Sequence, residues 1–465
     1  MLFNSATYAL FLSAVFLVYW AVAKWPVVRH LVLLGASYGF YAHWDPRFLG
    51  LIVFSTVLDW TVGRALSRES RDGRRRAWLI ASLVGNLGVL GFFKYFDFFS
   101  RQAAVLLESA GFTADPITLD LLLPVGISFY TFQTLSYTID VYRREIDHEP
   151  SLLRFGVFVA FFPQLVAGPI VRARDFLPQL GRAPRLPNAA LRSGLALIFW
   201  GLTKKILLAD VVGAELVDPT WEDPLAFGSW ATALGIVGYA FQIYGDFSGY
   251  SDVAIGSAHL LGFDLGLNFR APYRASSPQD LWRRWHISLS SWLRDYLYIP
   301  LGGNRRGPSR TQVNLALTML LGGLWHGASW MFVLWGGYHG LLLAIDRRLP
   351  APRDDRPLEL WGRRAVTFVL VCLGWVFFRS ATPDQAWAVL GSLAAPRGDA
   401  SLPILACVAL GVGFALHLPP RGFKRAVHER FAALPGLVQG ACFALLVGLF
   451  LNAASLRVPF IYFQF

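Results

Sequence analysis

Polar residues are sparse along this chain, and they cluster between apolar stretches long enough to cross a bilayer. A helix needs about 20 apolar residues to span the hydrocarbon core. The pattern predicts spans at roughly 6–23, 30–43, 48–63, 77–100, 119–141, 190–213, 228–244, 311–325, 328–346, 361–379, 401–418 and 434–455. Segments 155–171 and 246–269 are apolar but interrupted by Gly and Pro. They are predicted to be re-entrant or tilted, a course open only to backbone covered by protein or facing a water-filled cavity. The expected architecture is an all-α polytopic integral membrane protein with about 11–13 transmembrane or re-entrant helices.

The basic residues orient this array. Arg64, Arg68, Arg71, Arg74, Arg75 and Arg76 crowd one loop, which the positive-inside rule makes cytoplasmic. Counting back three helices places the N-terminus outside. Counting forward puts 101–118 outside, Arg143–Arg154 and Arg172–Arg192 inside, and the acidic loop Asp218–Asp223 outside. Arg270–Arg310, with eight arginines, falls inside, as do Arg347–Arg364 and Arg421–Arg430, leaving the C-terminus outside. The first apolar segment, Tyr8–Ala23, lacks a positive n-region and a small-residue cleavage site, so it reads as a retained helix.

Composition agrees. Of 465 residues, 55% are hydrophobic and 15% charged, well below the roughly 25% charged of soluble proteins. The net charge of +12 lies in short loop runs, which argues against nucleic-acid binding. Cys372, Cys407 and Cys442 each sit in an apolar segment, with no disulfide framework, and no metal-ligand pattern is present.

Two stretches carry candidate chemistry. Leu321–Gly340, LGGLWHGASWMFVLWGGYHG, holds His326 16 residues past Arg310 and 21 before Arg347. Both flanks are predicted cytoplasmic, so the chain enters the membrane and returns with His326 near the turn. Sixteen helical residues reach about 24 Å, most of the hydrocarbon thickness. A titratable group at that depth is a functional-site hypothesis by default. Leu281–Gly303, LWRRWHISLSSWLRDYLYIPLGG, sets Trp282, Trp285, Leu289, Trp292, Leu293 and Tyr296 at i, i+3 and i+4 spacing. The spacing predicts one amphipathic helix at the cytoplasmic interface, with His286 on its aromatic face.

These two stretches resemble the core of the membrane-bound O-acyltransferases. The resemblance extends through LLPVGISFYTFQTLSYTIDVYR at 122–143, FPQLVAGPIVR at 162–172, YGDFSGYSDVAIG at 244–256 and PFIYFQF at 459–465. It points to the bacterial branch that modifies exopolysaccharides. It implies a single acyltransferase domain over 1–465 around a central funnel, with N-terminal helices 1–118, a core at 119–347 and C-terminal helices 361–455. It also implies a multi-pass protein of the bacterial inner membrane. His326, in its WHG context, is implied to be catalytic, with His286 as a second site residue. The expected function is O-acetylation of an exopolysaccharide, alginate first, with cellulose, peptidoglycan or teichoic acid as alternatives. Expected partners are a periplasmic acetyltransferase, the polysaccharide machinery and the lipid bilayer. No permanently bound cofactor is expected, and acetyl-CoA is the expected donor.

The chemistry suits these residues. Acyl transfer from a thioester to a hydroxyl needs a base and a site that excludes water. Histidine, with an ordinary pKa of about 6.5, is suited to that task, and an apolar pocket favours its neutral, proton-accepting form. His326 is the expected general base, and His286 the residue that orients a substrate or assists proton transfer. Arginines of the 270–310 loop are candidates to meet donor phosphates; no Gly-rich phosphate loop is present, so the remaining cofactor-binding residues are unknown. No Cys or Ser is placed as a nucleophile, so direct transfer is the simpler expectation.

Other polar residues have plainer readings. His339 reads as structural and the tryptophan stripe as a membrane anchor. Asp246 and Asp252 could bind substrate, but capping at a helix break would also account for them. The rival of a different class is a solute or proton-coupled transporter using His326, Asp246 and Asp252. Transporters often carry two repeated halves, and the chain shows no such repeat.

Overall fold

The computed structural model describes residues 1–165, 168–350, 356–394, 403–417 and 422–452. The terminal PFIYFQF stretch and parts of the predicted segments 155–171, 401–418 and 434–455 lie outside the described residues. Among the described residues every regular element is helical. The backbone falls into two compact units, Met1–Pro187 with Ser257–Gly266, and Asn188–Gly256 with Leu267–Phe465.

The first unit contains α1 (Ala6–Ala21), α2 (Pro26–Ala42), α3 (Leu49–Arg68), α4 (Asp72–Ser109), α5 (Ile127–Arg143), α6 (Leu152–Ala160), α7 (Phe162–Leu165) and α8 (Ala173–Leu180). Local signals set the helix ends. Ser5 accepts a hydrogen bond from the Tyr8 amide at 3.2 Å, and Pro26 opens α2 where no amide donor is needed. Apolar α3, α4 and α5 pack on one another and close around one polar group. Buried Asp59 accepts hydrogen bonds from Ser82 at 2.5 Å, Asn86 at 2.8 Å and Thr138 at 3.1 Å. A carboxylate without water needs such donors, so this cluster locks the register of three helices. Arg75 ties two helix ends together. Its guanidinium donates to the carbonyls of Leu66 and, at 2.9 Å, Tyr142, near the C-termini of α3 and α5. The predicted interruption of 155–171 falls at Phe161, where ψ is 109°. The Phe162 amide there donates to Ser37 Oγ at 3.1 Å, so the broken backbone is satisfied by protein.

The second unit begins with α9 (Asn188–Thr203), which runs into π-helical turns at Lys204–Asp210 and Gly213–Val217 and then α10 (Asp218–Glu222). Next comes α11 (Pro224–Leu260), kinked at Gly228 and ending in the first unit. The sequence reading placed separate segments at 228–244 and 246–269, broken by glycine. Instead α11 continues through Gly245, Gly249 and Gly256. These glycines are contact points: a Cβ on Gly249 would fall 2.7 Å from the Gly201 carbonyl, and one on Gly256 2.6 Å from that of Gly194. They let α11 and α9 approach backbone to backbone. Asp246 and Asp252 therefore lie inside a helix and cap no break. Asp246 pairs with Lys205 at 2.8 Å and Asp252 with Lys204 at 2.6 Å.

The unit continues with α12 (Pro278–Trp282), α13 (Ile287–Leu293), α14 (Gly307–His326), α15 (Trp330–Asp346), α16 (Pro357–Arg379), α17 (Pro383–Ser392), α18 (Ile404–His417), α19 (Phe423–Ala433) and α20 (Gly436–Asn452). The predicted entry and return of 310–347 is the α14–α15 hairpin, turning at Gly327–Ser329. Gly323 and Gly336 let the two arms close up; a Cβ on Gly323 would stand 3.1 Å from the Gly336 Cα. Among the described residues three helices are long and apolar enough to cross a bilayer, Pro46–Arg68, Asp72–Ser109 and Pro357–Arg379. Leu10, Leu17, Leu341 and Val366 are exposed on their helices, as lipid-facing residues would be. The protein is an all-α polytopic membrane protein.

Candidate active site

His326 is the last residue of α14, and Gly327 after it is extended. It is buried, with an aromatic wall around it. Its ring meets Trp335 edge-on at 5.1 Å and Phe378 at 5.2 Å, with the Trp325 ring at 5.1 Å. The α14–α15 hairpin and α16 supply these groups. An aromatic enclosure of this kind excludes water.

His286 is reached differently from the sequence expectation. The predicted single amphipathic helix over 281–299 is broken into α12, α13 and a π-helical turn at Arg294–Tyr298. His286 sits at the break in the left-handed region, φ 43° and ψ 54°. A non-glycine residue there costs about 1–2 kcal/mol, so its surroundings must hold it. Those surroundings come from residues 268–270. The Ile287 amide donates to the Asn268 carbonyl and the Arg270 amide to the Arg284 carbonyl, both at 2.9 Å. The i, i+3, i+4 pattern of aromatics continues across the break, so the periodicity alone conceals it.

Asn268 also sets the chemistry of His286. Its Oδ1 accepts from the Ser288 amide at 3.3 Å and the Ser288 hydroxyl at 2.9 Å, which identifies that atom as the oxygen. His286 Nδ1, 3.1 Å away, must then carry a proton and donate to it. The lone pair of the neutral ring is therefore on Nε2, the nitrogen able to act as a base. Asn268 is itself oriented by Ser251 Oγ, which its Nδ2 meets at 3.2 Å. The sequence reading missed Asn268 because it lies in an irregular segment, outside any periodic or motif signal.

The two sequence-predicted histidines occupy one neighbourhood. The Trp325 ring contacts both, at 6.2 Å from His286 and 5.1 Å from His326. Phe247 also packs edge-on against His286, at 4.7 Å. Asp246 and Asp252 are engaged by lysines instead, and the three cysteines are free thiols. Among the loop arginines, Arg270, Arg283, Arg305, Arg306 and Arg310 are exposed, whereas Arg284 pairs with Asp280 and Arg294 with Asp295.

Comparison with known proteins identifies the family. The profile of the membrane-bound O-acyltransferase family matches residues 128–378, which contain both histidines and Asn268. The chain is 44% identical over 372 residues to "Probable alginate O-acetylase AlgI" of Azotobacter vinelandii, covering 78% of this chain and 72% of that one. It is 36% identical over 435 residues to the peptidoglycan O-acetyltransferase of Helicobacter pylori, covering 86% and 80%. It is 32% identical over 294 residues to the teichoic acid D-alanyltransferase of Streptococcus thermophilus, covering 57% and 71%. The chain belongs to the membrane-bound O-acyltransferase family and is an O-acyltransferase of the membrane.

Proposed function

We propose that the protein moves an acetyl group from cytoplasmic acetyl-CoA across the bacterial inner membrane for O-acetylation of an exopolysaccharide, alginate first. The observation that carries this reading is the aromatic enclosure of His326 at the buried end of the α14–α15 hairpin, beside a second histidine of defined tautomer. Two of the relatives cited above act, by name, as O-acetylating enzymes on alginate and peptidoglycan. The chain works as one acyltransferase domain, with both termini on the periplasmic side.

In this reading His326 is the general base. It takes the proton of the attacking hydroxyl as the oxygen forms its bond to the acetyl carbon. The carbon–sulfur bond then breaks, and the proton passes to the departing thiolate. His286, fixed by Asn268, orients the hydroxyl or assists that transfer through Nε2. The exposed arginines of the 270–310 loop meet the donor's phosphates. A periplasmic acetyltransferase passes the group on to the polymer.

The test is genetic. In a strain lacking the chromosomal copy, His326→Ala should abolish acetylation of the secreted polymer while the protein stays in the membrane at normal abundance. Retained acetylation would sink the base assignment. Acetyl content of alginate, cellulose and peptidoglycan in the deletion strain identifies the acceptor.

A further inference from the structure

The α15 helix carries a second buried imidazole that the acyl-transfer step above does not use. His339 is 1% exposed, and among the described residues neither of its ring nitrogens has a hydrogen-bond partner. Its ring packs against Trp335 at 4.9 Å and Trp282 at 5.1 Å. The indole nitrogens of both tryptophans are likewise buried and without a partner among the described residues. Four polar atoms on three touching side chains are thus unsatisfied together. Each such atom is costly, and native structures rarely gather them. On the neighbouring wall Gly374 presents no side chain; a Cβ there would stand 3.0 Å from His339 Nε2.

These groups form one cluster, and Trp335 joins it to the candidate base. Trp335 touches His326 at 5.1 Å and His339 at 4.9 Å. His339 lies nine residues along α15 from Trp330, about 13 Å from the turn at helical rise. Trp282, half-buried on α12, touches Trp335 at 5.8 Å and His339 at 5.1 Å. That short helix is pinned to the far end of α15 by the Gln279 amide, which donates to Asp346 at 2.9 Å. Unpartnered nitrogen atoms gathered in an apolar cluster suit a chain that bears amides. Indole N–H groups donate to amide carbonyls, and an imidazole can donate or accept. The pantetheine arm of a coenzyme A thioester is such a chain, with two amides between the nucleotide and the sulfur.

We propose that His339, with Trp282 and Trp335, is a positioning site for the amide-bearing arm of the donor, and that the half-buried Trp282 ring turns aside to admit it. The arm is bound and not altered; no bond to it forms or breaks here. This rests on the acetyl-CoA reading above. It makes His339 a positioning residue, whereas sequence alone reads it as structural.

The test uses purified full-length protein in lipid vesicles, with alginate and the periplasmic acetyltransferase present to accept the acetyl group, and three donors: acetyl-CoA, S-acetylpantetheine, and ethyl thioacetate, which has no amide. His339→Phe keeps an aromatic ring and removes both nitrogens. It should raise KM about tenfold for the two amide-bearing donors, the size of one lost hydrogen bond, with kcat within about threefold. On ethyl thioacetate the change should fall below about twofold. His339→Gln, which keeps a donor and an acceptor, should restore most of the KM. An unchanged KM, or an equal loss on all three donors, would overturn the proposal. If His339→Phe does not fold, Trp282→Phe decides by the same comparison, since it removes one N–H from a half-buried ring. Wild-type protein inactive with acetyl-CoA overturns the functional reading and this site with it. Active wild type with unmoved variants overturns this site alone.

Discussion

Asn268 shows how much of this site is decided by a single residue. It fixes the protonated nitrogen of His286 and pins the backbone break that presents the ring. If it acts through His286, the two residues cannot contribute independently. Asn268→Ala should lower kcat about tenfold or more, and the double variant with His286→Ala should be no worse than His286→Ala alone. Multiplying losses in steady-state kinetics would contradict that coupling. The sequence singles out His326 by its apolar surroundings, and His286 by its aromatic face and the family resemblance. Asn268 was not legible, because an amide in an irregular segment has neither periodicity nor a motif to mark it. The left-handed conformation of His286 was hidden as well, since the aromatic spacing continues on both sides of it.

At the level of elements, the misread feature was α11. Glycines at 245, 249 and 256 suggest a broken segment by periodicity, yet they serve close packing against α9 and the π-helical turn that follows it. Gly249→Leu should therefore destabilise the protein by about 1–3 kcal/mol through overpacking, read as a lowered unfolding midpoint in detergent. An unchanged midpoint would mean that the contact is dispensable. The same interface contains buried Lys205, at 2.7 Å from Asp210 and 2.8 Å from Asp246. Lys205→Met leaves two carboxylates facing each other without their ammonium and should cost about 3–5 kcal/mol. Stability equal to wild type would contradict a structural role for this triad. The α14–α15 hairpin has the two arms and the turn that basic flanks on both sides of an apolar stretch suggest.

For the whole molecule, class and family were legible from composition and from motifs spread along the chain, because a membrane imposes long apolar helices on any sequence that lives in it. The division into two compact units was not legible, since contacts between distant segments leave no local signature. The charge map makes a topological prediction: a cysteine placed at exposed Arg305 should react with a membrane-impermeant maleimide only when the cytoplasmic face is open. Labelling from the periplasmic side in intact cells would reverse the proposed direction of transfer. The central claim, a cytoplasmic thioester donor and a histidine base, is tested most directly by acetyl transfer from labelled acetyl-CoA by purified protein in vesicles, wild type against His326→Ala. The account predicts turnover by wild type and a loss of about a hundredfold or more in the variant at an unchanged unfolding midpoint. A folded variant that keeps the wild-type rate would contradict it.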